Sequence, residues 1–304
     1  AWWVSRGWRL RLLHGLLWFS QLSGLQRLAG FSAPLRRLVR LMPALRAPAR
    51  RRVHYPVSGN KHGDVSLFLG CIARIAEPRV SDAAITLLNA AGYDVHVPLT
   101  QTCCGALDQH AGRRAAAARL AAANLSAFGT DHVPVLSTAS GCGATLMEYS
   151  SISDASAAVE FADRHHDINQ FLATQTALDG IAFSDWPATV VLHNPCTLRN
   201  VLKADQYAFA LLRHIPQLDI IVLPASIGCC GAAGSYLINQ PRMADLLGDR
   251  IADEIVRRKP AALITSNVGC AMHLAAASAR RGQALPVMHP IEVLAQHLPH
   301  QPRL

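Results

Sequence analysis

The sequence predicts an α/β protein with two duplicated halves, each a parallel sheet of βαβ units, preceded by an amphipathic helical arm. Three observations carry this. From residue 57 onward, short apolar, β-branched runs alternate with helical stretches, the pattern that parallel βαβ units leave in a sequence. Four cysteine positions in the first part of that region return in the second at a nearly constant offset, which marks a duplication. The basic residues that give 304 residues a formal charge of +9 are concentrated ahead of both halves. With 51% hydrophobic and 16% charged residues, a disordered chain or linker is excluded.

The arm and linker are assigned to residues 1–56. Residues 1–52 carry eleven arginines and no acidic residue, whereas the remainder holds 18 basic against 20 acidic residues. Arg and Gln interrupt the apolar runs too often for the roughly 18 residues a membrane span needs. Arg9 and Arg11 also break the pattern of a signal peptide. The spacing predicts helices over 7–29 and 34–43, then a Pro/Arg-rich linker. Trp2, Trp3, Trp8 and Trp18 fall in this arm. Such helices suit packing on the body, docking on a partner, or peripheral contact with an anionic membrane. Nucleic acid is not expected as a partner, because no recognition motif accompanies the basic arm.

The first half is assigned to 57–180 and the second to 181–304. Strands are expected at VSLFLG before Cys71, at DVHVPL before Cys103, and at VPVLS before Cys142. In the second half TVVLH, DIIVLP and ALITS take those places. Helices are expected between them: one capped by Ser81 and ending before Gly92, then Ala-rich 113–128, 200–214 and 241–258. Every cysteine would then follow the carboxyl end of a strand, where the sites of open parallel sheets form.

Cys71, Cys103, Cys104 and Cys142 are matched by Cys196, Cys229, Cys230 and Cys270 at offsets of 125, 126, 126 and 128 residues. Each half reads C-x31-CCG-x36-C or C-x32-CCG-x38-C. Disulfides fit poorly, since adjacent cysteines bridge only with strain and nothing secretory precedes them. Structural zinc takes four thiolates but usually through short C-x2-4-C knuckles. An iron–sulfur cluster also takes four thiolates and is wide enough to accept two from neighbouring residues. The spacing leaves zinc and cluster both open.

The blocks QTCCGALDQHAG (101–112), ASGCGATLMEY (139–149), HNPCTLRN (193–200), GCCGAAGSY (228–236), SNVGCAMHL (266–274) and VMHPIEVL (287–294) resemble the cysteine-rich CCG domain family. Within it they are most similar to the iron–sulfur subunits of glycolate oxidase (glycolate dehydrogenase). The CCG-bearing chains of heterodisulfide reductases and the lactate-utilisation iron–sulfur proteins are more distant. The resemblance covers roughly 64–298. It implies Rossmann-like halves related by a pseudo-twofold, with up to two clusters of 4Fe–4S type, one on each set of four cysteines. It further implies an electron-transfer subunit, not catalytic alone, that relays electrons from an FAD-containing dehydrogenase subunit to a membrane acceptor. Its place would be cytoplasmic, with contact to the inner face of the membrane through residues 1–52. A zinc-stabilised scaffold is the alternative of another class.

Two departures from the family pattern matter. Its fullest motif ends each half in C-x-x-C, and here Ala139 and Asn267 stand where the first of those cysteines would fall. That disfavours heterodisulfide chemistry. The two ferredoxin-type cysteine motifs of glycolate oxidase subunits are also lacking, so such a module is expected upstream or as a separate chain. Other residues take structural roles by default. His110, His193 and His289 lie near the cysteines as candidate hydrogen-bond donors to cluster sulfur. Gly105 and Gly231 are expected to need positive φ or close approach. Gly228, Gly231 and Gly234 form no nucleotide fingerprint. Glu148, Asp167 and Glu292 read as solvated or capping acids without a second carboxylate beside them, and helix 113–128 as packing.

Overall fold

The computed structural model describes residues 7–27, 32–48, 50–153 and 156–299. Trp2 and Trp3 lie outside them. The first sheet has five strands in the order β1–β3–β2–β4–β5, where β1 is His54–Tyr55, β2 Gly63–Phe68, β3 Tyr93–His96, β4 Val135–Ser137 and β5 His165–Asp167. The second has four in the order β7–β6–β8–β9, where β6 is Ala188–His193, β7 Leu218–Val222, β8 Ala262–Thr265 and β9 Val287–Met288. All pairings are parallel except β1 with β3. Setting β1 aside, the two sheets share one strand order, as a duplication requires.

The contacts between the halves obey a pseudo-twofold. Helix Pro78–Ala90 follows β2 as helix Asp205–Leu212 follows β6, and helix Ile168–Thr174 follows β5 as helix Pro290–Gln296 follows β9. Pro78–Ala90 packs on Pro290–Gln296, and its counterpart Asp205–Leu212 packs on Ile168–Thr174. These four helices form a layer between the sheets. The largest core runs through it, joining Leu67, Leu87, Leu88, Leu172, Leu192, Leu211, Ile264 and Leu294, all at most 2% exposed. Burying each such side chain contributes about 1.5–3 kcal/mol, so this layer fixes how the halves sit together. Helices Arg114–Phe128 and Pro241–Arg258 cover the outer faces.

The cysteine-bearing turns meet near the same axis. Helix Ser140–Met147 contacts helix Cys196–Asn200, and the equivalent helix Val268–Arg280 contacts Ile72–Ala76. Ser140 N–H donates to the Ser266 carbonyl at 3.0 Å, and the Ser140 and Thr197 hydroxyls hydrogen-bond at 2.8 Å.

Several boundaries differ from expectation. The helix assigned to a Ser81 cap begins at Pro78, with Ser81 buried inside it, because Pro at the first helical position starts a helix without needing its N–H. The run 200–214 is two helices, Cys196–Asn200 and Asp205–Leu212, separated where Lys203 takes φ +52°. In the arm, the helices are Gly7–Leu22 and Ala33–Leu41. Only the second is amphipathic in the strict sense. The first is apolar on two sides: Leu10 is buried against the body, while the opposite side faces outward.

Candidate metal centres

Each set of four cysteines comes together. Cys71 lies just past the end of β2, Cys103 and Cys104 follow β3, and Cys142 sits in the first turn of the helix after β4. The Cys71 and Cys103 sulfurs are 3.2 Å apart, and Cys104 bonds toward both Cys103 and Cys142. Cys71, Cys103 and Cys104 are buried and Cys142 is half-buried. In the second half Cys196 opens the helix after β6, Cys229 and Cys230 follow β7, and Cys270 lies in the first turn of the helix after β8. Cys230 and Cys270 are 2.8 Å apart, and Cys196 bonds to Cys229. Here Cys196 and Cys229 are half-buried.

All eight are free thiols. The first cysteine of each vicinal pair is the natural thiolate. Cys103 is held well below the ordinary thiol range by hydrogen bonds from Cys104 and Cys71, with the Gly105 N–H adding to them. Cys229 is lowered by Cys196 and Cys230, with help from the Gly231 N–H at 3.3 Å. Their donors move the other way: Cys71, Cys104, Cys196 and Cys230 are raised, first by the hydrogen bond to a neighbouring sulfur and then by burial.

The donor set fits an anionic, thiolate-bound group. Backbone N–H groups point at sulfur at matching places: Ile72 on Cys71 and Thr197 on Cys196, Gly105 on Cys103 and Gly231 on Cys229. Such bonds stabilise thiolate ligands and tune the potential of a cluster. Arg74 adds a cation beside Cys71, and its buried Nε has no hydrogen-bond partner. Among the described residues no group of three or more His, Cys, Asp or Glu is arranged to hold a metal ion as it stands. Two sulfurs each about 2.3 Å from one metal would stand close to 4 Å apart in a tetrahedron, so sulfurs in direct hydrogen-bond contact must part to bind.

The loops are held by residues to which no sequence motif points. Asn124, fully buried, accepts from Thr102 N–H at 2.8 Å and donates to the Cys103 carbonyl at 3.0 Å and to the Tyr149 hydroxyl at 2.8 Å. Tyr149 in turn donates to the Cys104 carbonyl at 3.0 Å. The Ala-rich helix is therefore more than packing, because its single Asn fixes the vicinal pair. A polar residue inside an alanine run was the available signal. Arg74 and Arg199 were also missed, although C-x-x-R repeats at the same offset of 125. Arg199 differs from its counterpart in donating to the Asn194 and Ala225 carbonyls and facing Asp205 at 3.7 Å.

Gly105 and Gly231 have φ of +95° and +83°. At Gly231 an added Cβ would lie 2.7 Å from the Ala244 carbonyl oxygen, and at Gly105 3.5 Å from that of Ala117. The close approach is to the outer helix, not to the cysteine site. The histidines divide. His193 hydrogen-bonds Thr265 at 3.1 Å, and burial, with Arg199 adding, lowers it to about 4. His289 reaches the Thr138 carbonyl of the other half at 2.8 Å and caps helix Pro290–Gln296; burial lowers it to about 4. His110 is exposed and lies beside Gly234, so the loops after the two CCG motifs touch. Glu148 is exposed. Asp167 caps helix Ile168–Thr174, and burial raises it to about 6. Glu292 corrects the expectation of isolated acids: it is 9% exposed and interacts with Glu77, which burial and then Glu292 push up to about 8.

Comparison with known proteins agrees with this geometry. The model of the CCG cysteine-rich domain matches residues 65–147 and 190–275, together more than half of the chain. Lactate utilization protein A 2 of Bacillus cereus is 26% identical over 245 residues, 77% of this chain and 98% of that protein. The probable glycolate oxidase iron-sulfur subunit of Bacillus subtilis is 28% identical over 290 residues, 90% of this chain and 65% of that protein. A hypothetical protein from Helicobacter pylori shares the fold with a TM-score of 0.56 at 11% identity, over 89% of this chain and 55% of its own. With each motif of the duplicated family model falling on one of the two cysteine sets, the chain belongs to the CCG cysteine-rich domain family.

Proposed function

We propose that this chain is the iron–sulfur electron-transfer subunit of a complex that oxidises a 2-hydroxy acid. The observation that carries the reading is the gathering of four cysteines at equivalent edges of two equivalent sheets, with backbone N–H groups on the sulfurs. The names of the relatives support it. Cys71, Cys103, Cys104 and Cys142 would hold one 4Fe–4S cluster, and Cys196, Cys229, Cys230 and Cys270 a second. A bound cluster takes up and gives back one electron at a time. The protein's part is to hold the ligands rigidly, exclude water and balance the charge: Asn124 and Tyr149 fix the first vicinal pair, and Arg74 supplies a cation beside Cys71. The two halves, taken as 57–180 and 181–304, would place both clusters on one relay, since their CCG loops touch.

Glycolate is the proposed substrate of the complex, oxidised on an FAD-containing partner subunit. The glycolate oxidase relative matches 90% of this chain, against 77% for the lactate-utilisation relative. Electrons would arrive from the flavoprotein, directly or through a ferredoxin-like module, and leave to a membrane acceptor. Disulfide reduction is disfavoured, because Ala139 and Asn267 replace the extra cysteines that chemistry uses; Asn267 instead caps helix Val268–Arg280. Anaerobically purified protein should be brown, absorb broadly near about 400 nm and carry about four irons per loaded set. Cys104→Ser and Cys230→Ser should each lower iron by about one cluster. Colourless protein with stoichiometric zinc would replace this reading with the scaffold. Dye reduction by the reconstituted complex with glycolate or lactate identifies the acid.

A further inference from the structure

We propose that helix Gly7–Leu22 docks this protein on an anionic lipid surface through its outward side. Trp8, Leu12, Leu16, Phe19 and Leu22 recur every three or four residues along that side and are all exposed, from 50% at Leu12 to 61% at Trp8 and 70% at Leu22. The opposite side is anchored to the chain's own structure. Leu10 is 4% exposed and packs into the outer core of the first half. His14 bonds the Arg46 carbonyl at 2.8 Å, and Gln21 bonds both the Pro43 carbonyl and the Leu45 N–H. The helix is thus held in place with a row of large apolar side chains turned outward, a feature that marks interaction sites.

Charge selects the occupant. At about 100° per residue Arg9 and Arg11 fall on opposite flanks of the stripe, and the Arg9 guanidinium lies over the Trp8 ring at 5.2 Å. Helix Ala33–Leu41, which packs on helix Val268–Arg280 of the second half, carries exposed Arg36 and Arg40 and exposed Leu35 and Leu38 of its own. Residues 1–52 hold no carboxylate of their own; of the arm's arginines, Arg37 pairs with Asp245 and Arg51 with Asp82 of the body. Apolar residues with Trp among them and arginines on the flanks suit the headgroup region of an anionic bilayer, where each basic residue adds attraction. Among the described residues no helix is long and apolar enough to cross a membrane, so the contact would be peripheral. Docking of this kind involves the arm alone. Its failure would leave the iron and zinc outcomes above untouched.

The test uses the full chain with vesicles of phosphatidylcholine alone, or with about one-third phosphatidylglycerol. Co-sedimentation should be at least about tenfold stronger on the anionic vesicles and should weaken as salt rises. The double variant Leu12→Glu/Phe19→Glu should lose that binding while keeping the wild-type melting temperature, since both side chains are exposed. Arg11→Ala/Arg36→Ala/Arg40→Ala should bind the anionic vesicles less and keep the stripe. Equal binding to neutral and anionic vesicles, wild-type binding by the stripe variant, or no binding to either vesicle would overturn the proposal. So would a dimer that Leu12→Glu/Phe19→Glu dissolves, which would show a second copy to be the occupant.

Discussion

Asn124 shows how much one side chain can decide at the residue scale. It joins half-buried Thr102 to buried Cys103 and Tyr149 and is itself fully buried. Replacing it by Ala leaves the Thr102 N–H without its acceptor and the Cys103 carbonyl with the Thr102 hydroxyl alone, a loss of about 1–3 kcal/mol. Asn124→Ala should therefore lower the midpoint of denaturant unfolding, and it should reduce iron at the first set while the second still loads. Gly231 makes the complementary case. An Ala there must hold φ near +83° and place its Cβ 2.7 Å from the Ala244 oxygen. Gly231→Ala should cost well over about 1 kcal/mol, the penalty of the left-handed conformation alone. Gly112, also at positive φ but with nothing within 4 Å, is the control: Gly112→Ala should show the conformational cost only. The vicinal cysteines and their glycines were legible in the sequence. Asn124 was not, because its role depends on which loop the helix covers.

At the scale of elements, the layer between the halves carries half-buried Glu77 and buried Asp167, acids whose raised pKa values make stability depend on pH. Glu77 precedes helix Pro78–Ala90 and interacts with Glu292 of helix Pro290–Gln296, and its carboxyl is pushed from 4.5 up to about 8. Between those values the folded protein keeps a proton that the unfolded chain has released, so stability falls as pH climbs through that window. Asp167, raised from 3.8 to about 6, adds to the fall in its lower part. Denaturant unfolding should show lower stability at pH 8.5 than at pH 6, and Glu77→Gln should shrink that difference. An unchanged slope in the variant would remove Glu77 as its source. His193 and His289 act oppositely: lowered from 6.5 to about 4, they destabilise the fold as pH drops through that interval. The pairing of Glu77 with Glu292 was invisible in sequence, since 215 positions separate the two and only helix docking joins them. Strand β5 was equally hidden. Its His165-His166-Asp167 has no apolar run, and it is a strand because β4 offers a parallel edge.

Across the whole molecule, the pseudo-twofold makes two similar sites that the surroundings render unequal. The first has three buried cysteines, while in the second Cys196 and Cys229 are half-buried. In metal-free protein, half-buried Cys229 should alkylate before the buried Cys71, Cys103 and Cys104, and ahead of Cys196, which its hydrogen bond to Cys229 holds as the thiol. Cys229 should lead, because it is both reachable and held as thiolate. Peptide mapping after brief iodoacetamide treatment reads the order directly, and prior labelling at Cys103 would contradict it. The sequence by itself determined the duplication, the two cysteine sets, the strand-to-cysteine order and the separate basic arm. Those features are periodic or compositional and need no partner to be seen. Tertiary structure alone decided that the helix layer joins the halves, that Glu77 meets Glu292, that Arg74 stands beside Cys71 while Arg199 faces Asp205, and which side of the arm remains bare. Each of these depends on docking between segments distant in the chain, where packing and desolvation, rather than local propensity, set the outcome.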